Sequence, residues 1–121
     1  MTHNTKHNRY EIGEWRCDRI DGWWAFLYIG GSYQIAETEC RKACFPKGLC
    51  VTIEPTKYIF AGGSEEGVRI GFIQYPPFPE DVDLIKEKAI QLGQSIAEAT
   101  CQWSFTIVTP ETNIFYSRRR K

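Results

Sequence analysis

Residues 49–79 read LCVTIEPTKYIF, then AGGSEEG, then VRIGFIQYPPFP. The two flanks are strands and the glycine-rich middle is their turn. Leu49, Val51 and Ile53 fall on one face, Cys50, Thr52 and Glu54 on the other, because side chains alternate along a strand. Pro55 has no N–H to give a ladder, which puts this strand at a sheet edge or at a bulge. Tyr58 to Phe60 resumes it, and Gly62-Gly63 through Gly67 makes the turn. In the return strand Val68, Ile70 and Phe72 alternate with Arg69, Gly71 and Ile73. Pro76, Pro77 and Pro79 then stiffen a corner.

A helix follows the corner. Pro79 suits a first helical position, and Glu80, Asp81 and Asp83 favour the positive end of the helix dipole. Val82, Ile85, Ala89, Leu92 and Ile96 recur every three or four residues, the spacing of a buried helical stripe. Upstream, Trp23 to Ile29 (WWAFLYI) is apolar on both faces and fits a central strand. Ser32 is placed to cap a helix over about residues 33–45, with Ile35, Ala36, Cys40, Ala43 and Cys44 inward. Pro46-Lys47-Gly48 ends it. Downstream, residues 102–108 alternate as a strand with Trp103, Phe105 and Ile107 on one face, and residues 114–116 form a short last strand.

The core order is thus strand, helix, strand, strand, helix, strand. This is the split βαβ order of ferredoxin-like domains: an α+β fold with two helices on one face of an antiparallel sheet. Strands are added at both ends. Tyr10 to Ile20 reads as one of them, joined to the next by Asp21-Gly22, a dipeptide that favours two-residue hairpin turns. The ferredoxin-like order leaves that strand no place beside the central one. Residues 1–9 read as a loose tail and 10–121 as a single domain, a size that buries a core without staples.

The 121 residues carry fifteen basic and fifteen acidic side chains. A neutral balance disfavours a general polyanion binder. No apolar run approaches the roughly 20 residues that span a bilayer, and the polar start lacks the apolar segment of a secretory signal. A cytoplasmic protein without membrane contact is expected. Its five cysteines are then expected to be reduced. Cys40, Cys44 and Cys50, with Cys101 elsewhere, lack the tight paired spacing of structural zinc sites, and buried thiols explain them. Cysteine catalysis needs a nearby base, and His3 and His7 lie in the tail. No metal, cofactor or catalytic set is marked.

Two five-residue stretches carry a resemblance. Leu27-Tyr28-Ile29-Gly30-Gly31 and Gly71-Phe72-Ile73-Gln74-Tyr75 resemble the first- and third-strand signatures of RNA-recognition-motif domains, over roughly residues 26–108. The resemblance implies an open sheet face on which Tyr28 and Phe72 stack bases. Val68, Arg69 and Ile70 depart from the family pattern, and Glu65 and Glu66 make the hairpin tip acidic. The whole piece from Gly48 through the long helix also resembles small accessory proteins of tailed bacteriophages, which implies a protein that binds and inhibits or redirects a host protein.

The aromatic load points the same way. Trp15, Trp23, Trp24, Trp103, Tyr75 and Phe78 are many rings for one small sheet, and aromatics are enriched at interface centres. The leading expectation is a non-enzymatic interaction protein with a protein partner or a second copy of itself, and Tyr58 and Phe78 as docking residues. The alternatives are a single-stranded nucleic-acid binder using Tyr28 and Phe72, and a small-molecule or nucleotide binder between sheet and hairpin.

Overall fold

The computed structural model describes residues 8–45, 49–76 and 80–119. Along these residues run β1 (Asn8–Ile12), β2 (Trp15–Arg19), β3 (Trp24–Gly30), α1 (Tyr33–Cys44), β4 (Val51–Phe60), β5 (Gly63–Ile73), α2 (Val82–Thr100), β6 (Ser104–Val108) and β7 (Asn113–Ser117). Five strands form one antiparallel sheet in the order β4-β5-β3-β6-β7, and β1 and β2 pair only with each other. Strands β4, β5, β3 and β6 and the two helices are the ferredoxin-like core. β7 extends it at one edge.

The β4–β5 hairpin is tighter than its sequence suggests. Phe60 pairs with Gly63, so the turn is Ala61-Gly62, and the glycine-rich segment Gly63–Gly67 is already strand. β3 pairs with β5 only from Ile73 back to Gly67. The rest of the hairpin projects past the sheet as an arm with Ile59 and Phe60 exposed. Pro55 sits in β4, an edge strand, as its missing donor requires.

Asp21-Gly22 does not make the expected hairpin. The turn lies at Gly13-Glu14, with Gly13 at φ 59, and residues 20–23 are a connector without ladder. β3 is already paired on both sides, to β5 and to β6. The N-terminal strands therefore have no seat beside it and fold on themselves.

The core lies between the sheet and the helices. Ala25, Leu27 and Ile29 of β3, Val68, Ile70 and Phe72 of β5, and Phe105 and Ile107 of β6 meet Val82, Ile85, Ala89, Leu92 and Ile96 of α2, and Ala36 and Cys40 of α1. Ser32 caps α1, its hydroxyl accepting from the Ile35 N–H. Ile35 itself is 40% exposed, so the α1 stripe turns away from the expected line. The buried Gln74 side chain both accepts from the Glu80 N–H (2.9 Å) and donates to the Glu80 carbonyl (2.5 Å), which fixes the entry to α2. Gly93 of α2 is a close-approach residue: a Cβ there would lie 2.5 Å from the Phe105 ring.

Candidate functional site on the open sheet face

The helices cover one face of the sheet and leave the other open. On β3 the open-face residues are Trp24, Phe26, Tyr28 and Gly30, opposite Ile73, Gly71, Arg69 and Gly67 of β5. Glycines at 67 and 71 let aromatic rings lie across the strand. A Cβ at Gly67 would fall 2.5 Å from the Tyr58 ring, and one at Gly71 would fall 3.2 Å from the Phe26 ring. The β5 strand thus presents ring, cation, ring in succession.

The cation is Arg69. Its Nε and Nη2 both donate to Glu54 Oε1, at 2.9 and 2.6 Å. Its guanidinium lies 4.5 Å over the Phe26 ring centre, a favourable cation–π position. Hydrogen bonds to Glu54 first, and then to Tyr28, hold its pKa above the usual arginine value. Trp24 extends the aromatic row, 5.5 Å from Phe26. At the other end, a Cβ on Gly30 would collide with the Glu65 carboxylate, so Glu65 reaches back from the arm over the end of β3. The Gly31 N–H, at φ 112, donates to the Glu66 carbonyl (3.0 Å) and ties the arm to the start of α1.

Tyr58 stands between these groups. Its hydroxyl donates to the Val68 carbonyl at 2.6 Å. Burial pushes its pKa up to about 12. It stays protonated at neutral pH and serves as a donor and a wall, not as a base.

Of the residues singled out from sequence, Tyr28 and Tyr58 belong to this face. Phe72 does not. It is 1% exposed and packs under the helices. It pairs with Ala25, whereas Tyr28 pairs with Arg69, and the odd offset puts the two rings on opposite faces. The two-ring base-stacking platform therefore does not exist. Phe78 lies outside the described residues. Glu54 and Arg69 were missed as a pair, although folding the hairpin about Ala61-Gly62 places them opposite each other. Of the tryptophans, Trp23 is buried, while Trp15, Trp24 and Trp103 are exposed.

A groove of about 400 Å³ lies on the helix side, between α2 and β7. Its floor is the stacked pair Phe105–Tyr116, 5.0 Å between ring centres. Its cation, Arg118, is spent on the carbonyls of Ala97 and Gln102. The open face holds the better set of ligand groups. Among the described residues no three His, Cys, Asp or Glu side chains gather to hold a metal, and Cys40 is a buried thiol pushed up to about 11 by desolvation. No described helix is long and apolar enough to cross a membrane.

No protein-family model and no curated protein sequence matches this chain. Solved structures do. A phage SAM lyase in its apo state superposes with a TM-score of 0.59 at 12% identity, covering 83% of this chain and 92% of the other. A phage SAM lyase in complex with S-methyl-5'-thioadenosine superposes with a TM-score of 0.53 at 16% identity, covering 79% and 89%. The chain folds like a phage SAM lyase. Both neighbours are enzymes of phage origin, which accords with the resemblance to phage proteins. A fold shared with an enzyme over most of its length conflicts with the expectation of a non-enzymatic protein acting by docking to a host protein, and that expectation does not hold.

Proposed function

We propose that this chain binds S-adenosylmethionine on the open sheet face and cleaves it as a lyase. The observation that carries the reading is the Glu54–Arg69–Tyr28 cluster, set between aromatic rings on a fold shared with phage SAM lyase. The ligand has a carboxylate, an ammonium, a sulfonium and a flat base. Arg69 is a planar donor matched to the carboxylate. Glu54 and Glu65 are anions for the ammonium and the sulfonium. Trp24 offers an apolar surface for adenine, and the Tyr28 and Phe26 rings suit a cation.

Release of S-methyl-5'-thioadenosine requires breaking the bond between sulfur and the methionine Cγ. The electron pair leaves with sulfur, which becomes a neutral thioether and needs no acid. The carbon fragment takes its pair from a neighbouring C–H bond, whose proton goes to a base, or from an oxygen of its own carboxylate. Neither course consumes water. The protein's part is to hold the methionine portion in one conformation and to strip water from the sulfonium, whose charge disappears as the bond breaks.

Incubation with S-adenosylmethionine, followed by chromatography and mass detection, should show S-methyl-5'-thioadenosine accumulating. Arg69→Ala and Glu54→Gln should each weaken substrate binding by ~10–100-fold, the worth of a charge-assisted hydrogen bond. Absence of product, together with absence of calorimetric binding of S-adenosylmethionine and of S-methyl-5'-thioadenosine, would overturn the reading.

A further inference from the structure

Helix α2 packs on β3 and β6, and β7 lies one strand further out. The helix-side surface of β7 is therefore left as a shelf beside α2, and the groove of about 400 Å³ lies on it. Its floor follows from the register. Phe105 pairs with Tyr116 and their rings stack. Two residues along, the Arg118 N–H donates to the Trp103 carbonyl, so Trp103 and Arg118 share that side of the sheet. Gln94, Ala97 and Glu98 of α2 form the wall. The volume lies within the roughly 300–1,000 Å³ of small-molecule sites.

The polar groups around this floor carry both signs and do not satisfy one another. Glu98 stands four residues after Gln94, on the same strip of α2. It belongs to the last turn, which holds no basic residue. Its carboxylate thus meets the negative end of the helix dipole, where an anion is disfavoured. Among the described residues neither the Gln94 amide nor the Glu98 carboxylate has a hydrogen-bond or ion-pair partner. Arg118 spends its Nη2 on the carbonyls of Ala97 and Gln102, with its guanidinium 5.5 Å from the centre of the half-exposed Trp103 ring. The Arg119 guanidinium lies 5.7 Å from the same centre, and no described acid pairs with it.

We propose that this groove is a second ligand site and that it takes a guanine nucleotide. The base lies against Trp103 and Tyr116, since every base has a face that stacks on an aromatic ring. An ionised carboxylate only accepts hydrogen bonds, and a carboxamide both gives and accepts them. Guanine offers two adjacent donors, N1–H and the N2 amino group, beside the O6 acceptor. The donors match Glu98, and O6 matches the Gln94 amide. Adenine would turn its N1 lone pair toward the same carboxylate and is the poorer fit. The phosphate falls to Arg119, whose planar fork matches phosphate oxygens. The site lies on the helix side of the sheet, so the sheet itself separates it from the open face that carries Arg69 and Glu54.

Calorimetric titration of the full chain with guanosine 5'-monophosphate tests this. The wild type should bind it, and should bind adenosine 5'-monophosphate about tenfold more weakly, the worth of one charge-assisted hydrogen bond. Trp103→Leu and Arg119→Ala should each weaken guanosine 5'-monophosphate by about tenfold, through lost stacking and a lost phosphate contact. Glu98→Gln should remove the preference for guanine over adenine. All three side chains are exposed, so circular dichroism should be unchanged. If Trp103→Leu fails to fold, Arg119→Ala and Glu98→Gln carry the comparison. Arg69→Ala should leave the titration as it is. Several results overturn the proposal. They are no binding at millimolar nucleotide, equal affinity for inorganic phosphate, and binding of a single-stranded RNA without binding of the mononucleotide. Displacement by S-adenosylmethionine, or indifference to the Trp103, Arg119 and Glu98 variants, overturns it equally.

Discussion

Tyr58 and Cys40 show how single side chains tie stability to pH. Both are acids whose neutral form is favoured by burial. Tyr58 rises from 10.0 to about 12, and Cys40 from 9.0 to about 11. Below pH 9 each is protonated in folded and unfolded chains alike, and their full contribution is present. Above that, the unfolded chain loses these protons first, so ionisation favours unfolding. Stability should therefore fall as pH rises from about 9 to 12, first through Cys40 and then through Tyr58. Denaturant titrations across this range should show a shallower fall for Cys40→Ala at the lower end and for Tyr58→Phe at the upper end. A wild-type curve flat to pH 12 would contradict the assignment. At neutral pH Tyr58→Phe still loses its bond to the Val68 carbonyl (2.6 Å), at a cost of about 1–3 kcal/mol if that carbonyl stays dry.

Elements succeed or fail to be legible according to how local their cause is. α2 was readable because its stripe of Val82, Ile85, Ala89, Leu92 and Ile96 is written in its own sequence, and all five are buried. The N-terminal hairpin was misread because Asp21-Gly22 is a good local turn signal, overruled by β3 having both neighbours already. Phe72 was misassigned because a five-residue likeness carries no register. The Val68–Ile70–Phe72 alternation already placed it with the core. The Glu54–Arg69 pair was hidden by a turn placed several residues late. Helix α2 holds an opposing pair of effects, one at its end and one in its interior, that sequence propensity alone would get wrong. Cys101 takes a left-handed φ of 59 while its N–H reaches the Glu98 carbonyl and the Gln102 N–H reaches that of Ala97, the glycine-favouring helix stop. Cys101→Gly should stabilise by about 1 kcal/mol. Gly93→Ala should destabilise by about 1 kcal/mol or more. The roughly 1 kcal/mol gained in helix propensity is outweighed by the 2.5 Å approach to a Phe105 ring already stacked on Tyr116. Chemical denaturation of both variants decides: a stabilised Gly93→Ala would refute the packing account, and a destabilised Cys101→Gly the account of the cap.

At the scale of the whole molecule, the β1–β2 hairpin is the part whose place the fold does not explain. It shares no ladder with the five-stranded sheet. Every residue of β1 is exposed, and Trp15 is 76% exposed. A lone two-stranded hairpin is marginal in water, so its own polar contacts matter. Asp18, with its side chain 6% exposed, receives Arg9 at 2.7 Å and Arg16 at 3.3 Å, and the Arg19 guanidinium lies 5.8 Å over the Tyr10 ring. The core is closed without it: Trp23, 3% exposed, is the first buried residue among those described, and its indole N–H donates to Glu111 at 3.3 Å. Removing residues 1–20 should therefore leave the sheet and both helices folded, with a melting temperature within about 3 °C of the full chain, as expected for a change well below 1 kcal/mol. A loss of cooperative melting would mean that the hairpin packs on the sheet more firmly than its exposure implies. The truncated chain also separates roles when its turnover of S-adenosylmethionine is read beside its stability. Unchanged melting with lost turnover would assign the exposed Trp15 arm to the substrate face. Unchanged melting and turnover would leave the Glu54–Arg69–Tyr28 cluster sufficient, with the hairpin contributing to neither fold nor chemistry.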